Sequence, residues 1–204
     1  MTSHFLNVAF TPAVKEAQTA NGSRQAYSTR DGETTRDSLT EAEAGFIASR
    51  DSFYMASVSE TGWPYVQHRG GAPGFVKVLS ATQIAFADFR GNRQYVSVGN
   101  LSKDDRAALF FMEYPSQTRL KLLGHVRAVN LAEDPALAAA LIDPDYPAKV
   151  ERAFIIHVEA FDWNCRQHIT PRYTLAEIEP AVGALKARIA ELEAELAAAR
   201  QPAG

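Results

Sequence analysis

Seven short segments rich in aromatic and β-branched residues follow one another through the middle of the chain. They cover residues 52–59, 63–68, 75–79, 83–88, 107–114, 119–129 and 153–163. Such segments favour β-strands, and here most of them are joined by short connections. The pattern therefore predicts a mainly β, α+β fold in which the strands form an antiparallel barrel or sandwich.

Helices are predicted on both sides of this run and within it. Thr11-Pro12 has the pattern of a helix cap followed by proline at the first helical position, which predicts a helix over residues 12–20. Thr40 and Glu43 form a Thr-x-x-Glu capping box, which predicts a helix over residues 41–50. Residues 93–101 and 134–142 are further helical segments, whereas residues 23–38 are polar and predicted to form a loop.

The last segment has a different repeat. Apolar residues recur there at alternating spacings of three and four, with charged residues beside them, as in a coiled coil. The apolar positions are Val182, Leu185, Ile189, Leu192 and Leu196, and the charged ones are Lys186, Arg188, Glu193 and Glu195. This helix either packs on its own barrel or pairs with the same helix of a second copy, and we prefer the second arrangement.

The composition restricts the partners that the chain can bind. Its 204 residues, 46% of them hydrophobic, suffice for one buried domain with appendages. A net charge of −3 argues against a nucleic-acid module, which usually has a basic face. No apolar run approaches the roughly 20 residues of a membrane span, and the N-terminus lacks the pattern of a signal peptide. We therefore expect a cytoplasmic protein that binds neither nucleic acid nor membrane.

Two basic, glycine-containing segments lie at the ends of neighbouring predicted strands. Residues 69–71 are Arg-Gly-Gly, and residues 90–93 are Arg-Gly-Asn-Arg. Arginine offers a forked donor to phosphate, and glycine lets the backbone approach a ligand closely. Either segment alone is more often an ordinary turn. Their recurrence on neighbouring strands predicts that the two segments converge on one anion.

A third candidate site follows the last predicted strand, at residues 163–173. We predict that a planar ligand stacks near Trp163 and that Gln167 and His168 meet its polar edges. The one cysteine, Cys165, excludes an intrachain disulfide and is expected to be a small buried hydrophobe rather than a nucleophile. The five histidines lack the close pairs of a metal site, so no metal is predicted.

Four motifs occur in the order found in the pyridoxamine 5'-phosphate oxidase-related family of FMN-binding split-barrel proteins. They are GWPYVQHRGG at residues 62–71, PGFV at 73–76, FADFRGNRQ at 86–94 and WNCRQHITPR at 163–172. The chain resembles this family over residues 39–173. Several motifs in the same order are a more specific signal than any one of them.

The resemblance implies a six-stranded antiparallel split barrel with flanking helices, assembled as a homodimer that holds FMN at the subunit interface. Arg69 and Arg93 would hold the phosphate of FMN, and the backbone near Gly70-Gly71 and Val76-Lys77 would line the flavin ring. The loop from Trp163 would approach the ring from the partner subunit. The candidate cofactor-binding residues are Arg69, Gly70, Gly71, Val76, Lys77, Asp88, Asn92, Arg93, Gln94, Trp163, Gln167, His168 and Arg172.

The C-terminal segment departs from the family. Pyridoxamine phosphate oxidases end in an Arg-x-x-Pro type segment that helps to grip the product, whereas this chain ends in Ala-Glu-Leu heptads. We therefore expect an FMN-dependent oxidoreductase that acts on a different small molecule. No side chain is assigned a catalytic role, because the flavin itself performs hydride transfer.

Alternative functions stay open. The barrel can be a flavin-binding sensor or storage protein that catalyses nothing, or it can carry a deazaflavin or haem in place of FMN. The least favoured alternative is a purely structural dimerisation protein. In each case the predicted organisation is an N-terminal helical and loop extension at 1–38, a split-barrel domain at 39–173 and an amphipathic helix at 174–204.

Overall fold

The computed structural model describes residues 4–28, 35–163 and 166–200. Its helices are α1 (His4–Ala9), α2 (Pro12–Ala20), α3 (Arg24–Tyr27), α4 (Glu41–Ala48), α5 (Val96–Leu101), α6 (Pro135–Leu141) and α7 (Leu175–Ala199). Its strands are β1 (Ser52–Val58), β2 (Pro64–Gly70), β3 (Lys77–Ser80), β4 (Gln83–Phe89), β5 (Arg106–Glu113), β6 (Thr118–Val129) and β7 (Val150–Trp163).

The local signals in the sequence place most of these elements. The Thr11 side chain accepts a hydrogen bond from the Val14 amide at the start of α2, and the Thr40 capping box closes the first turn of α4. All seven predicted strands are present, one more than the six that the resemblance implies.

Some helix predictions need correction. Helices α1 and α3 lie in segments for which no helix was predicted, because four to six residues are too few to show a helical period. Helix α5 begins at Val96 rather than at residue 93, since Arg93 and Tyr95 have φ values of 62° and 53°. These left-handed conformations cannot belong to a right-handed helix.

The seven strands form one antiparallel sheet in the order β2-β1-β5-β6-β7-β4-β3. Three strands separate β1 from β4 in this order, yet the Phe53 and Phe86 rings are only 5.1 Å apart. The sheet therefore curls until its two ends approach each other. Because β2 and β3 at the ends are not paired with one another, the result is an antiparallel split barrel with flanking helices.

Two groups of apolar side chains fill the two faces of the sheet. The barrel interior is packed with aromatic rings, among them Phe53, Phe86, Phe111 and Phe154, all at most 1% exposed. The opposite face of β4 and β7 packs against α6. Strand β4 is thus buried on both faces. Burying each large apolar side chain contributes about 1.5–3 kcal/mol to the stability of the fold.

The chain divides into two compact units. The first extends to Glu113 and resumes from Thr118 to Arg166, so it contains the whole sheet. The second consists of the β5–β6 turn, Tyr114–Gln117, and the residues from Gln167 onward, including α7. Among the described residues, no helix combines the length and apolar character that crossing a membrane requires.

Candidate functional site

A polar pocket of about 210 Å³ lies where the inner face of β2 meets the end of β4. This is the position at which the two ends of the curled sheet approach each other. Five of the residues predicted from the sequence line the pocket together. They are Arg69 on β2, Asp88 on β4, and Asn92, Arg93 and Gln94 in the loop that follows β4.

Arg69 connects the two ends of the sheet. Its Nη1 donates a hydrogen bond to Asp88 Oδ1 at 2.7 Å, and its guanidinium carbon lies 5.6 Å from the centroid of the Phe154 ring. Its Nε is buried and has no acceptor among the described residues. Arg69 therefore stabilises the barrel and still has an unused donor beside the pocket.

Asp88 is a buried carboxylate, 6% exposed, held between two arginines. Besides Arg69, Arg152 lies close, with Nε 3.3 Å from Asp88 Oδ2, although this contact is not aligned as a hydrogen bond. Burial is the strongest influence and raises the pKa of Asp88 above its ordinary value, while the two guanidinium groups oppose that rise. Removing either arginine would leave a buried charge with one partner fewer.

The loop after β4 has an unusual backbone. Arg93 and Tyr95 both adopt left-handed conformations, which cost a side-chain-bearing residue about 1–2 kcal/mol each. The Asn92 side chain accepts a hydrogen bond from the Gln94 amide and holds the turn between them. Strain of this kind is concentrated at functional sites, because a packing role alone seldom requires it.

Glu151, on β7, organises the cations around this loop. It accepts hydrogen bonds from Arg90 Nε at 2.7 Å, from Tyr95 Oη at 3.3 Å and from Arg152 Nη2 at 3.2 Å. The Arg90 hydrogen bond is the main cause that lowers the pKa of Glu151. Arg93, whose Nε donates to Tyr95 Oη at 3.5 Å, forms no ion pair with any described residue.

The balance of charge around the pocket is positive. Two arginines and two carboxylates line the pocket, and two further arginines outside the lining pair with these carboxylates, so the six groups together have an excess of two positive charges. The arginines are Arg69, Arg90, Arg93 and Arg152, and the carboxylates are Asp88 and Glu151. An anion of about two charges would neutralise the site.

An apolar cleft of similar size shares one wall with the polar pocket. Phe89 lines both, and in the cleft its ring lies 5.2 Å from that of Tyr146. Pro73, Phe75 and Ile142 supply further apolar surface. The cleft is therefore suited to a flat, weakly polar group.

The residues predicted around the flavin ring have mixed positions. Lys77 is exposed and lines the apolar cleft, whereas the Val76 side chain is fully buried in the barrel interior. Gly71 is required by packing, because a Cβ there would lie 2.7 Å from Phe75 Cγ. At Gly70 a Cβ would lie 3.1 Å from His68 Cε1. The glycines thus have a structural reason that is independent of any ligand.

Trp163 is bound to the protein itself. Its indole Nε1 donates to Glu43 Oε1 at 2.6 Å, and its ring packs edge-on against Phe46 with centroids 4.9 Å apart. Burial alone would raise the pKa of Glu43, but hydrogen bonds from Thr40 and Trp163 outweigh it and lower the pKa. Trp163 is 38% exposed, so part of its ring remains accessible.

The other predicted residues of this loop belong to the second unit. His168 has a left-handed φ of 63°, and the Arg172 guanidinium lies 4.9 Å from the centroid of the Tyr114 ring. Gln117 donates a side-chain hydrogen bond to the Ile169 carbonyl and so fastens the segment to the β5–β6 turn. For Gln167, His168 and Arg172, contact with a ligand stays a prediction. Cys165 lies outside the described residues.

A comparison with protein families identifies the family to which the chain belongs. The family model described as pyridoxamine 5'-phosphate oxidase matches residues 39–181, which is well over half of the chain. The chain belongs to the pyridoxamine 5'-phosphate oxidase family. The match begins at Leu39, just before α4, and covers all seven strands.

Solved structures similar to this pyridoxamine 5'-phosphate oxidase family member include three small proteins. One from Lactobacillus delbrueckii, provisionally named a pyridoxamine 5'-phosphate oxidase, is 20% identical, with coverage of 61% of this chain and 93% of that one (TM-score 0.46). An FMN-binding protein from Syntrophomonas wolfei is 11% identical, with 60% and 83% covered (0.47). An F420 reductase is 16% identical, with 61% and 98% covered (0.43). No curated protein sequence matches the chain.

Sequence reasoning missed several residues at the polar pocket of this family member. Tyr65 and Gln67 line it, and their signal was present, because alternate residues of a strand share the face of Arg69. Tyr95 and Glu151 also line it. Glu151 gave no local signal, since it reaches Arg90 only through the pairing of β4 with β7.

Proposed function

We propose that this protein is a flavoprotein that binds FMN non-covalently and uses it to oxidise or reduce a small molecule. Family membership supports a phosphorylated cofactor, and the polar pocket provides a place for its phosphate. The observation that carries the proposal is the excess of two positive charges in the group of four arginines and two carboxylates at this pocket. Within that group, Arg93 lines the pocket and has no carboxylate within ion-pair distance among the described residues.

The residues present fit the phosphate of FMN. A phosphate monoester carries about −1.5 to −2 charges at neutral pH, which matches the positive excess. Arg93 and the amide side chains of Asn92 and Gln94 are exposed donors, while Arg69 Nε is a buried donor without an acceptor. We propose that Arg93 supplies the main charge and that Arg69 mainly fixes the wall of the pocket, because Asp88 already neutralises it.

The apolar cleft beside Phe89 fits the aromatic ring of the same cofactor. Phe75, Phe89 and Tyr146 would shield the ring from water, and Lys77 would lie at its edge. Bound FMN would supply two-electron redox chemistry, and the side chains would hold and orient it and the substrate.

We further propose a cytoplasmic homodimer with FMN at the subunit interface. Each polar pocket would then be completed by the partner subunit, through the loop that begins at Trp163 and continues with Gln167, His168 and Arg172. The exposed part of the Trp163 ring supports a contact of this kind. The substrate is expected to be a small planar molecule that reacts with the bound flavin.

The absorption spectrum of the purified protein tests the cofactor. Oxidised flavin bands, followed by mass-spectrometric detection of FMN after heat release, would support the proposal. A Soret band would indicate haem, and absorption at shorter wavelength than flavin would indicate a deazaflavin. A colourless protein that also fails to bind added FMN would contradict it. Reduction of the bound flavin by a nicotinamide cofactor would support an oxidoreductase. A flavin that is not reduced would support a protein that only binds flavin.

A titration with FMN tests the phosphate site. Arg93→Ala removes a charge-assisted partner, so we expect FMN to bind roughly 10- to 150-fold more weakly, equivalent to about 1.5–3 kcal/mol. Arg106→Ala is the matched control, because Arg106 is an exposed arginine at the start of β5 that pairs only locally with Asp104. Equal affinity of Arg93→Ala and wild-type protein would refute the assignment.

A further inference from the structure

Helix α7 presents an apolar stripe that no part of the proposed flavin site uses. All 25 of its residues are exposed. The seven large apolar residues of the stripe are each between 37% and 83% exposed and follow a spacing of three and four throughout. They are Leu175, Ile178, Val182, Leu185, Ile189, Leu192 and Leu196.

The structure lengthens the repeat that the sequence indicated. A second capping box, in which Thr174 and Glu177 bond each other's backbone amides, starts the helix at Leu175. Leu175 and Ile178 thereby join the stripe as one more heptad. Pro180 lies inside the helix between Ile178 and Val182, but on the face opposite the stripe, so it occupies no seam position. A seam of three heptads is long enough to specify a coiled coil, whereas an isolated amphipathic helix gains little from burial.

The charges beside the stripe indicate what covers it. In a parallel coiled coil, the residue just before every second seam position faces a residue of the partner helix whose number is five higher. Here the charged residues of this kind lie just before Ile189 and Leu196. Arg188 would face Glu193 of the partner subunit, and Glu195 would face Arg200 of the partner subunit. Both pairs join opposite charges, and symmetry repeats each of them. A second copy of the same helix therefore matches the seam in charge as well as in shape.

We propose that α7 pairs with α7 of a second copy, parallel and in register. This arrangement places every apolar residue of the stripe opposite itself, so the whole seam is covered. An antiparallel pair can also oppose unlike charges in two registers. Centred between residues 190 and 191, it leaves Leu175 and Ile178 without partners; centred between residues 183 and 184, it opposes Glu179 and Lys186 and leaves Leu196 without a partner. The parallel pair buries the larger apolar area and is the one that the seam favours.

Disulfide trapping in the full-length protein tests the arrangement. Leu196→Cys, with the native Cys165 replaced by serine in every variant, would place two thiols side by side in a parallel pair. In either antiparallel pair the two thiols would be at least about 16 Å apart along the axis, beyond the ~7 Å between Cα atoms that a disulfide spans. Ala194→Cys, on the outer face of the same helix turn, is the matched control.

At low protein concentration under mild oxidation, we expect a covalent dimer from Leu196→Cys at least ten-fold faster than from Ala194→Cys. Equal rates, or no dimer from Leu196→Cys, would overturn the proposal. Circular dichroism confirms that both variants fold, which is expected because both positions are exposed. FMN content is measured in parallel, so failure of the helix pairing and failure of the flavin proposal give different results.

Charge exchange tests the register independently. Arg188→Glu sets like charges opposite each other at two symmetric positions, and we expect association about three- to ten-fold weaker. The double variant Arg188→Glu with Glu193→Arg restores both pairs in the parallel arrangement and should recover cross-linking. Neither antiparallel pair brings residue 188 opposite residue 193, and in the one centred between residues 190 and 191 the new positive charge at position 193 faces Lys186 of the partner subunit. A lack of recovery would therefore refute the parallel register.

Discussion

The hydrogen bond between Trp163 and Glu43 should be one of the stronger single contacts in the first unit. It joins the end of β7 to the first turn of α4 at 2.6 Å, and Glu43 is only 5% exposed. Trp163→Phe keeps an aromatic ring against Phe46 but leaves a buried carboxylate oxygen without this donor. A hydrogen bond to a charged group contributes about 1.5–3 kcal/mol, so we expect the free energy of unfolding to fall by that amount.

The measurement is urea unfolding at neutral pH followed by circular dichroism, without added FMN. The chain offers its own control, because Trp63→Phe changes the other tryptophan, which is 76% exposed in the β1–β2 hairpin. That variant should stay within about 0.5 kcal/mol of wild type. If the two variants lost the same stability, the structural role assigned to Trp163 would be wrong.

The same contact has a pH signature. The folded-state pKa of Glu43 is lower than its ordinary value, so its contribution is present above the ordinary pKa and is lost as pH falls through the folded-state pKa. Without the Trp163 donor, the folded-state pKa moves upward. Acid unfolding of Trp163→Phe should therefore begin at higher pH than that of wild type, whereas Trp63→Phe should show no such shift.

Two further predictions concern local features. Gly71→Ala should lower the free energy of unfolding in urea by about 1–3 kcal/mol, because its Cβ would overlap the buried Phe75. Gly91→Ala is the control and should be nearly neutral, because a Cβ there would have nothing within 4 Å. Equal losses of stability would refute the packing argument. Hydrogen bonds from Arg106 lower the pKa of Asp104 to about 2. NMR titration should find that pKa raised in Arg106→Ala but still below its ordinary value, because the backbone amide of residue 106 continues to donate to Asp104 Oδ1. In wild type the contribution of Asp104 should be lost only as pH falls towards 2.

The sequence by itself determined most of the elements and their type. Short segments rich in aromatic and β-branched residues marked all seven strands, and the Thr40–Glu43 capping box marked α4, because these signals act between residues close together in the chain. Five of the predicted cofactor-binding residues also converge on one pocket. Both basic segments were visible because they end strands, and strand ends could be read from the same local pattern.

Only the tertiary structure decided which of those charged residues pair with one another. Curling of the sheet brings Arg69 against Asp88, although β2 and β4 lie near opposite ends of the strand order. Pairing of β4 with β7 brings Glu151 to Arg90, and the end of β7 brings Trp163 to Glu43. These contacts join residues that are far apart in sequence, and a local pattern of side chains contains no information about how strongly a sheet curls or where its ends meet.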